Sequence, residues 1–244
     1  MNETKTHTAP LGYTSLTPLI AERHRDITYA AGGGYGFARH INAVPLLAEE
    51  FGLAQACYPI LFPHAAPHLP LALLGARRGV NDFVGDDGRW RADAYIPAYL
   101  RRYPFMLAST AAHPDRRLLC ADLAAEGFGG GAEAASLFEA DGTPSPAAAK
   151  ILDFCQRYDA AELRTRATVQ QFADLGVLEP GAVTVKRGEE TLRVDGFQVI
   201  SQKRLFALDD ETLAGFTRRG VLPLIAAHLF STTQFSDLFR EVSA

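Results

Sequence analysis

Residues 90–105 read WRADAYIPAYLRRYPF. The stretch carries the only tryptophan, three of the eight tyrosines (Tyr95, Tyr99, Tyr103) and the pair Arg101-Arg102. Asp93 has the short carboxylate of a helix N-cap, and the spacing predicts a helix over Ala94 to Arg102. Pro97 falls in the first turn, where a missing N–H costs least, and Pro104 stops the helix. On helical spacing Tyr95, Tyr99 and Arg102 share one face, while Ile96, Leu100 and Tyr103 share another. Just upstream, Gly85-Asp86-Asp87-Gly88 separates Val80–Val84 from Arg89-Trp90, a hairpin signal. Downstream, Phe105–Ala108 and Leu118–Asp122 read as apolar strands, joined by a polar loop at His113-Pro114-Asp115. Hairpin, short helix and strands in succession point to an α+β chain.

The same mixture extends toward the N-terminus. Residues 1–16 are polar and threonine-rich, a flexible lead-in without the apolar run of a secretory signal. Ile27–Ala30 reads as a strand entering the glycine run Gly32-Gly33-Gly34-Tyr35-Gly36. Phe37–Val44 alternates like a strand, and Pro45–Phe51 reads as a short helix opened by its proline. Cys57–Phe62 and Leu69–Leu74 are apolar strands, the first confined to a sheet edge or to its residues beyond Pro59, because proline cannot donate to a ladder.

Toward the C-terminus the composition shifts. Ala124–Ala135 is rich in alanine and glycine, and residues 124–142 contain the best sub-domain boundary. Pro144-Ser145-Pro146 opens a long helix from Ala147 to about Phe172, with a break near Asp159–Leu163 and a stop at Gly176. Val183–Lys186, Glu190–Val194 and Gly196–Ile200 form a small meander. Leu208-Asp209-Asp210-Glu211 caps a helix with an Asp N-cap, and the helix ends at Arg218-Arg219 and Gly220, with acids early and bases late as the helix dipole prefers. A last amphipathic helix covers Pro223–Val242. The expected fold is α+β: an N-terminal mixed or antiparallel sheet with short helices, then a helical half with a small β-meander.

Composition narrows the function classes. Apolar residues make up 48% and charged residues 21%, with a formal charge of −4. That balance is ordinary for a globular chain and lacks the basic face nucleic acid requires. No run approaches the roughly 18 apolar residues a membrane span needs. Cys57, Cys120 and Cys155 are odd in number, far apart and set among apolar neighbours, which fits a reducing, cytoplasmic setting.

Each catalytic pattern fails a spacing test. AGGGYGF lacks the Gly-Lys-Ser/Thr of a phosphate loop and the third glycine of a dinucleotide fingerprint, so it reads as a tight bend with positive φ. His64 and His68 lie four apart, but among prolines and without the glutamate of a zinc helix; they are weak metal candidates. His24 and Asp26 offer a base and a carboxylate without a nucleophile elbow. The aspartates 82, 86 and 87 lack an EF-hand's terminal glutamate. No cofactor is implied, and the balance leans away from an enzyme.

What remains is recognition. Tyrosine, tryptophan and arginine dominate binding surfaces because they combine apolar area with directional polar ends. Tyr58, Trp90, Tyr95, Tyr99, Arg101, Arg102 and Tyr103 are the candidate ligand-binding residues, set against a reading in which the aromatics complete the core. A peptide, a protein or a small molecule is the expected partner, and homodimerisation is compatible with the sequence.

WRADAYIPAYLRRYPF also resembles the SapC family of bacterial proteins. YPILF at 58–62, LPLALLG at 69–75, the Leu137–Pro146 and Gly196–Leu213 segments and the Gly220–Ser231 ending are similar to that family as well. The resemblance covers roughly residues 17–240 and implies one integrated domain. The family is named for a surface-layer-associated protein, so a structural surface-layer role is one implied alternative. Apart from the resemblance, the histidines themselves leave a metal-assisted enzyme using His24, His40, His64, His68 or His113 as a second alternative. No catalytic residue carries over from the resemblance.

Overall fold

The computed structural model describes residues 9–64, 69–110, 113–130, 133–187 and 190–238. Ten strands occur among them: β1 (Thr17–Pro18), β2 (Thr28–Tyr29), β3 (Ala43–Pro45), β4 (Ile60–Pro63), β5 (Leu71–Leu73), β6 (Phe105–Thr110), β7 (His113–Ala121), β8 (Ala135–Ser136), β9 (Leu178–Arg187) and β10 (Glu190–Ile200). All their pairings are antiparallel, and the fold is α+β. The chain divides into two compact units, residues 1–37 with 102–159 and residues 38–101 with 160–244.

The first unit holds a three-stranded sheet in the order β1-β7-β6 and a two-stranded ladder of β2 with β8. Along β6 burial alternates: Phe105 and Leu107 are buried, Met106 and Ala108 less so. That period of two sends one face into a core with Ala121, Leu137, Ala148 and Cys155. The helix Pro146–Asp174 supplies Ala148, Ile151, Leu152 and Cys155 at helical spacing. Ser145 starts it, its Oγ accepting the Ala148 N–H at 3.2 Å with proline next in the chain. The polar loop expected at His113-Pro114-Asp115 lies inside β7. Backbone pairing to β6 continues there through a register shift at Ser109/Thr110, although the apolar pattern has ended.

The break expected near Asp159–Leu163 is absent: the helix runs 29 residues without interruption. Alanines and ion pairs of Asp153 with Arg157 and Glu162 with Arg166 support it where the apolar pattern falters. Its end is a Schellman turn. Gly176 takes φ +65°, its N–H donates to the Ala173 carbonyl, and Val177 N–H reaches back to Phe172.

The second unit is built on a five-stranded sheet ordered β3-β5-β4-β10-β9. The meander is one long hairpin of β9 and β10, with a bulge between Val194 and Phe197 where Gly196 takes φ +79°. Phe197 lies over Gly181 so closely that a Cβ there would stand 2.4 Å from its ring. Behind the sheet runs the helix Leu222–Ser231, where His228 packs against Phe62 with centroids 4.9 Å apart. His228 Nε2 accepts the Ile200 N–H at 3.0 Å, and Ser231 Oγ accepts the Ile60 N–H at 3.0 Å. Two strand N–H groups that the ladder does not use are thus satisfied from one helix face.

Three expected elements are shorter. Of the strand expected over Phe37–Val44 only Ala43 and Val44 pair, within β3, and Gly36–Ala38 is a 3₁₀ turn. The final helix is split into Leu222–Ser231 and Gln234–Leu238, and residues 239–242 of the expected span lie outside the described residues. Ser231, Thr232 and Thr233 each donate a hydroxyl to the carbonyl three residues back, which competes with helix continuation. The helix expected over Ala94–Arg102 shrinks to Ala98–Arg101. Pro97 disfavours helical backbone at Ile96, and Asp93 pairs with Arg91 at 3.1 Å. No helix among the described residues is long and apolar enough to cross a membrane.

Candidate functional site

The stretch 90–105 straddles the two units: Trp90–Arg101 belong to the second and Arg102–Phe105 to the first. Its seven-residue candidate set is therefore divided as well.

In the second unit most of the set is core. Tyr58 is fully buried, edge-on to Phe83 at 4.6 Å, and its hydroxyl donates to the Tyr95 carbonyl. Burial holds the Tyr58 hydroxyl far above the usual phenol range. Trp90 stacks on Phe83 at 5.9 Å, and the Arg91 guanidinium lies 4.2 Å from the same ring. Tyr99 is buried.

Tyr95 and Arg101 reach the surface, but both are tied to Glu50, a buried acid that no sequence pattern singled out. Glu50 Oε1 accepts the Tyr95 hydroxyl at 2.8 Å and the Ala98 N–H at 2.6 Å; Oε2 accepts the Leu47 N–H at 2.9 Å. Glu50 thereby caps the Ala98–Arg101 helix from a segment 48 residues away. Burial outweighs these hydrogen bonds and raises its carboxyl pKa. Arg101 donates to the Ile96 carbonyl at 2.9 Å and to the Tyr95 hydroxyl at 3.0 Å. Burial and the Glu50 charge push Tyr95 up to about 12. This network is a clamp whose polar groups are spent on one another.

In the first unit the arginine and tyrosine part company. Arg102 is buried, with its guanidinium 4.1 Å from the Tyr158 ring centroid. Tyr103 is half-buried and sits among aromatics that the sequence keeps apart. Phe37 stacks on it at 3.8 Å and 16°, Tyr13 meets it edge-on at 5.1 Å, and Tyr35 stands 6.2 Å from Phe37. Tyr29 packs edge-on to Phe105 at 4.9 Å and against Phe128 at 5.0 Å. Burial, Asp122, Tyr29 and Glu126 raise the Tyr103 hydroxyl to about 12. Burial and Tyr35 raise Tyr29. Asp122 is fully buried and accepts the Thr14 N–H at 2.6 Å.

Two glycine-rich loops border these rings. The run 32–36 bends through Gly32 and Gly34 at φ +119° and +79°, as its composition predicts. It lies beside the loop 126–130. Ala30 N–H donates to the Gly127 carbonyl at 2.9 Å, Tyr29 bridges Phe128, and a Cβ on Gly33 would stand 3.0 Å from that of Glu126. The spacing of 91 residues between Tyr35 and Glu126 hides this pairing from sequence reading. The glycines and Tyr103 were each visible, but not their meeting.

Among the described residues the histidines do not gather. His24 Nδ1 accepts the Ile20 N–H at 3.2 Å, His40 Nδ1 lies 3.3 Å from the Gly79 carbonyl, and His64 is exposed at the end of β4. His68 lies outside the described residues. Among the described residues no three His, Cys, Asp or Glu side chains are arranged to hold a metal ion.

Comparison with known proteins gives one result: the family model described as SapC matches residues 19–238. No curated protein matches the chain, and no solved structure does.

Proposed function

The chain belongs to the SapC family, and from that premise we propose that it is a non-catalytic binding or accessory protein whose recognition surface is the aromatic cluster around Tyr103. One observation carries this reading. Tyr29, Tyr35, Phe37 and Tyr103 are all only half-buried and are gathered between two glycine loops. Half-buried aromatics with polar tips supply contact area at low entropic cost, and the glycines leave backbone open to a ligand. Tyr29 and Tyr103 keep their protons at neutral pH, so their hydroxyls serve as hydrogen-bond donors rather than as bases. The Tyr95–Arg101 pair plays a supporting part, since its hydrogen-bonding capacity goes to the Glu50 clamp.

The test is a thermal-shift screen of chemically varied small molecules and short peptides, run on the parent chain and on Phe37→Ala. Ligands that stabilise the parent and lose that effect in the variant support the reading. If every stabilising ligand acts equally on both, recognition lies elsewhere on the chain.

A further inference from the structure

The second unit has an open sheet edge with a cavity beside it. From these two features we infer that β9 takes an extended peptide as an added strand, with an uncharged apolar side chain of that peptide seated in the cavity. This goes beyond the Tyr103 reading and concerns the second unit by itself.

β9 is the last strand of the five-stranded sheet, and β10 is its one strand partner. Successive strand residues turn their backbone groups to opposite sides, so every second residue of an edge strand faces outward. The end of the ladder sets the phase. Ser201 N–H donates to the Val177 carbonyl at 2.8 Å, one step beyond the pair Leu178–Ile200. Glu179, Gly181 and Val183 therefore turn toward β10, and Leu178, Pro180, Ala182 and Thr184 turn toward the edge. That edge is guarded at its start: Arg204 donates to the Leu178 carbonyl at 2.7 Å, and Pro180 has no N–H to offer. Past Pro180 the guard ends. Ala182 and Thr184 are exposed, and among the described residues neither makes a backbone hydrogen bond outside the β9–β10 ladder. Each presents one N–H and one C=O, the pattern with which an incoming strand pairs.

Beside this stretch lies an open cavity of about 450 Å³. Val183, Phe197 and Val199 of the hairpin line it, with Thr232, Phe235 and Ser236 beyond the helix Leu222–Ser231. Phe197 and Phe235 are buried and stack at 5.9 Å and 27°, which gives the cavity an apolar wall. Gly181 and Ala182 border it too, so it reaches the residues where the unguarded edge begins.

One ligand chemistry satisfies both features. A strand bonded to Ala182 and Thr184 places one residue opposite Val183, and directly opposed side chains share a face of the sheet. Gly181 pairs with Phe197, so Val183, two residues on, lies on the Phe197 face, where the cavity is. The incoming side chain therefore stands on the cavity's side. No residue lining the cavity is ionisable, and a charged side chain entering it would lose water without gaining a partner. A compact apolar molecule would fill the cavity but leave the Ala182 and Thr184 backbone groups unmatched, whereas a strand uses both.

The test titrates the full chain with a blocked seven-residue peptide alternating threonine and leucine. Backbone NMR signals of Ala182 and Thr184 and ring signals of Phe197 and Phe235 should all move together. Aspartate in place of the leucines should weaken binding by about tenfold. With a leucine opposite Val183, the threonines face Ala182 and Thr184. Methylating the threonine nitrogens should then weaken binding by about tenfold, and methylating the leucine nitrogens should leave it nearly unchanged. Ala182→Pro removes an edge N–H that β10 does not use, and Ser236→Arg crowds the cavity from an exposed position. Each should weaken the leucine peptide by about tenfold with thermal unfolding little changed, and either alone decides if the other fails to fold. Phe37→Ala should bind it like the parent. Equal binding of the leucine and aspartate peptides, or indifference to the site of methylation or to the folded variants, would overturn the inference. So would a leucine peptide that moves none of these signals. Loss of binding in Phe37→Ala would assign the peptide to the Tyr103 cluster instead and overturn this site. The same Ala182 and Thr184 shifts on raising protein concentration without peptide, abolished by Ala182→Pro, would give the edge to a second copy and overturn the peptide as its occupant.

Discussion

Lowering the pH should unfasten the second unit at His228. The ring is completely buried, and its Nε2 accepts a hydrogen bond from Ile200 N–H, which only neutral imidazole can do. Burial holds its pKa down at about 4, against an ordinary value of 6.5. The folded chain therefore binds fewer protons than the unfolded chain between these two values, and stability falls as pH drops through that window. The lowered imidazole pKa corresponds to about 3 kcal/mol lost below pH 4, of which about 2 kcal/mol is gone by pH 4.5. His228→Gln keeps an acceptor for Ile200 N–H and removes the titration. Urea unfolding at pH 7 and about pH 4.5, in parent and variant, measures the difference in slope. The variant should start slightly less stable and lose about 2 kcal/mol less on acidification. An identical loss in both proteins would refute the reasoning, because the acid sensitivity would then belong to other groups. The comparison must be between variants, since Glu50 acts in the opposite direction. Its raised carboxyl pKa makes its contribution largest below the unfolded value, and that contribution is lost as pH rises through the folded value.

Glu50→Ala should cost about 2–4 kcal/mol in chemical denaturation, because the Ala98 and Leu47 N–H groups and the Tyr95 hydroxyl lose a common acceptor. Glu50→Gln should cost less and remove this residue's pH dependence; a cost equal to that of alanine would show that volume rather than hydrogen bonding matters. Gly181→Ala should destabilise by about 1–3 kcal/mol, since its Cβ would stand 2.4 Å from the Phe197 ring. Shortening that ring with Phe197→Leu in the same background should cost less than it does alone, and simple additivity of the two changes would contradict the packing assigned here.

What the sequence revealed was local. Asp209 caps its helix, accepting the Thr212 N–H at 2.7 Å, and Gly176 closes the long helix, both as their residue types require. The strand pair that follows Pro104 was readable from its two apolar runs. The five-stranded order was not, because β10 lies between β4 and β9 through pairings such as Phe197 with Pro63 that no local rule encodes. The helix after Trp90 was misjudged because an Asp at the right spacing looked like its cap. The acceptor that caps it is Glu50, placed there by tertiary structure. The family string was recognisable, yet its aromatics divide between buried and half-buried positions according to partners such as Phe83 and Phe37, which lie outside it.

The chain crosses between its compact units after Phe37, Arg101 and Asp159. During synthesis the first 37 residues must therefore wait. Tyr13 cannot donate its hydroxyl to the Phe105 carbonyl until 92 further residues have been made. The sheet of the second unit waits longer, because β4 gains its neighbour β10 only when residue 198 and its surroundings have emerged. Neither unit can be completed on the ribosome before the other is well under way, so both are exposed together as unfinished sheets. A single cut or truncation cannot yield one unit whole.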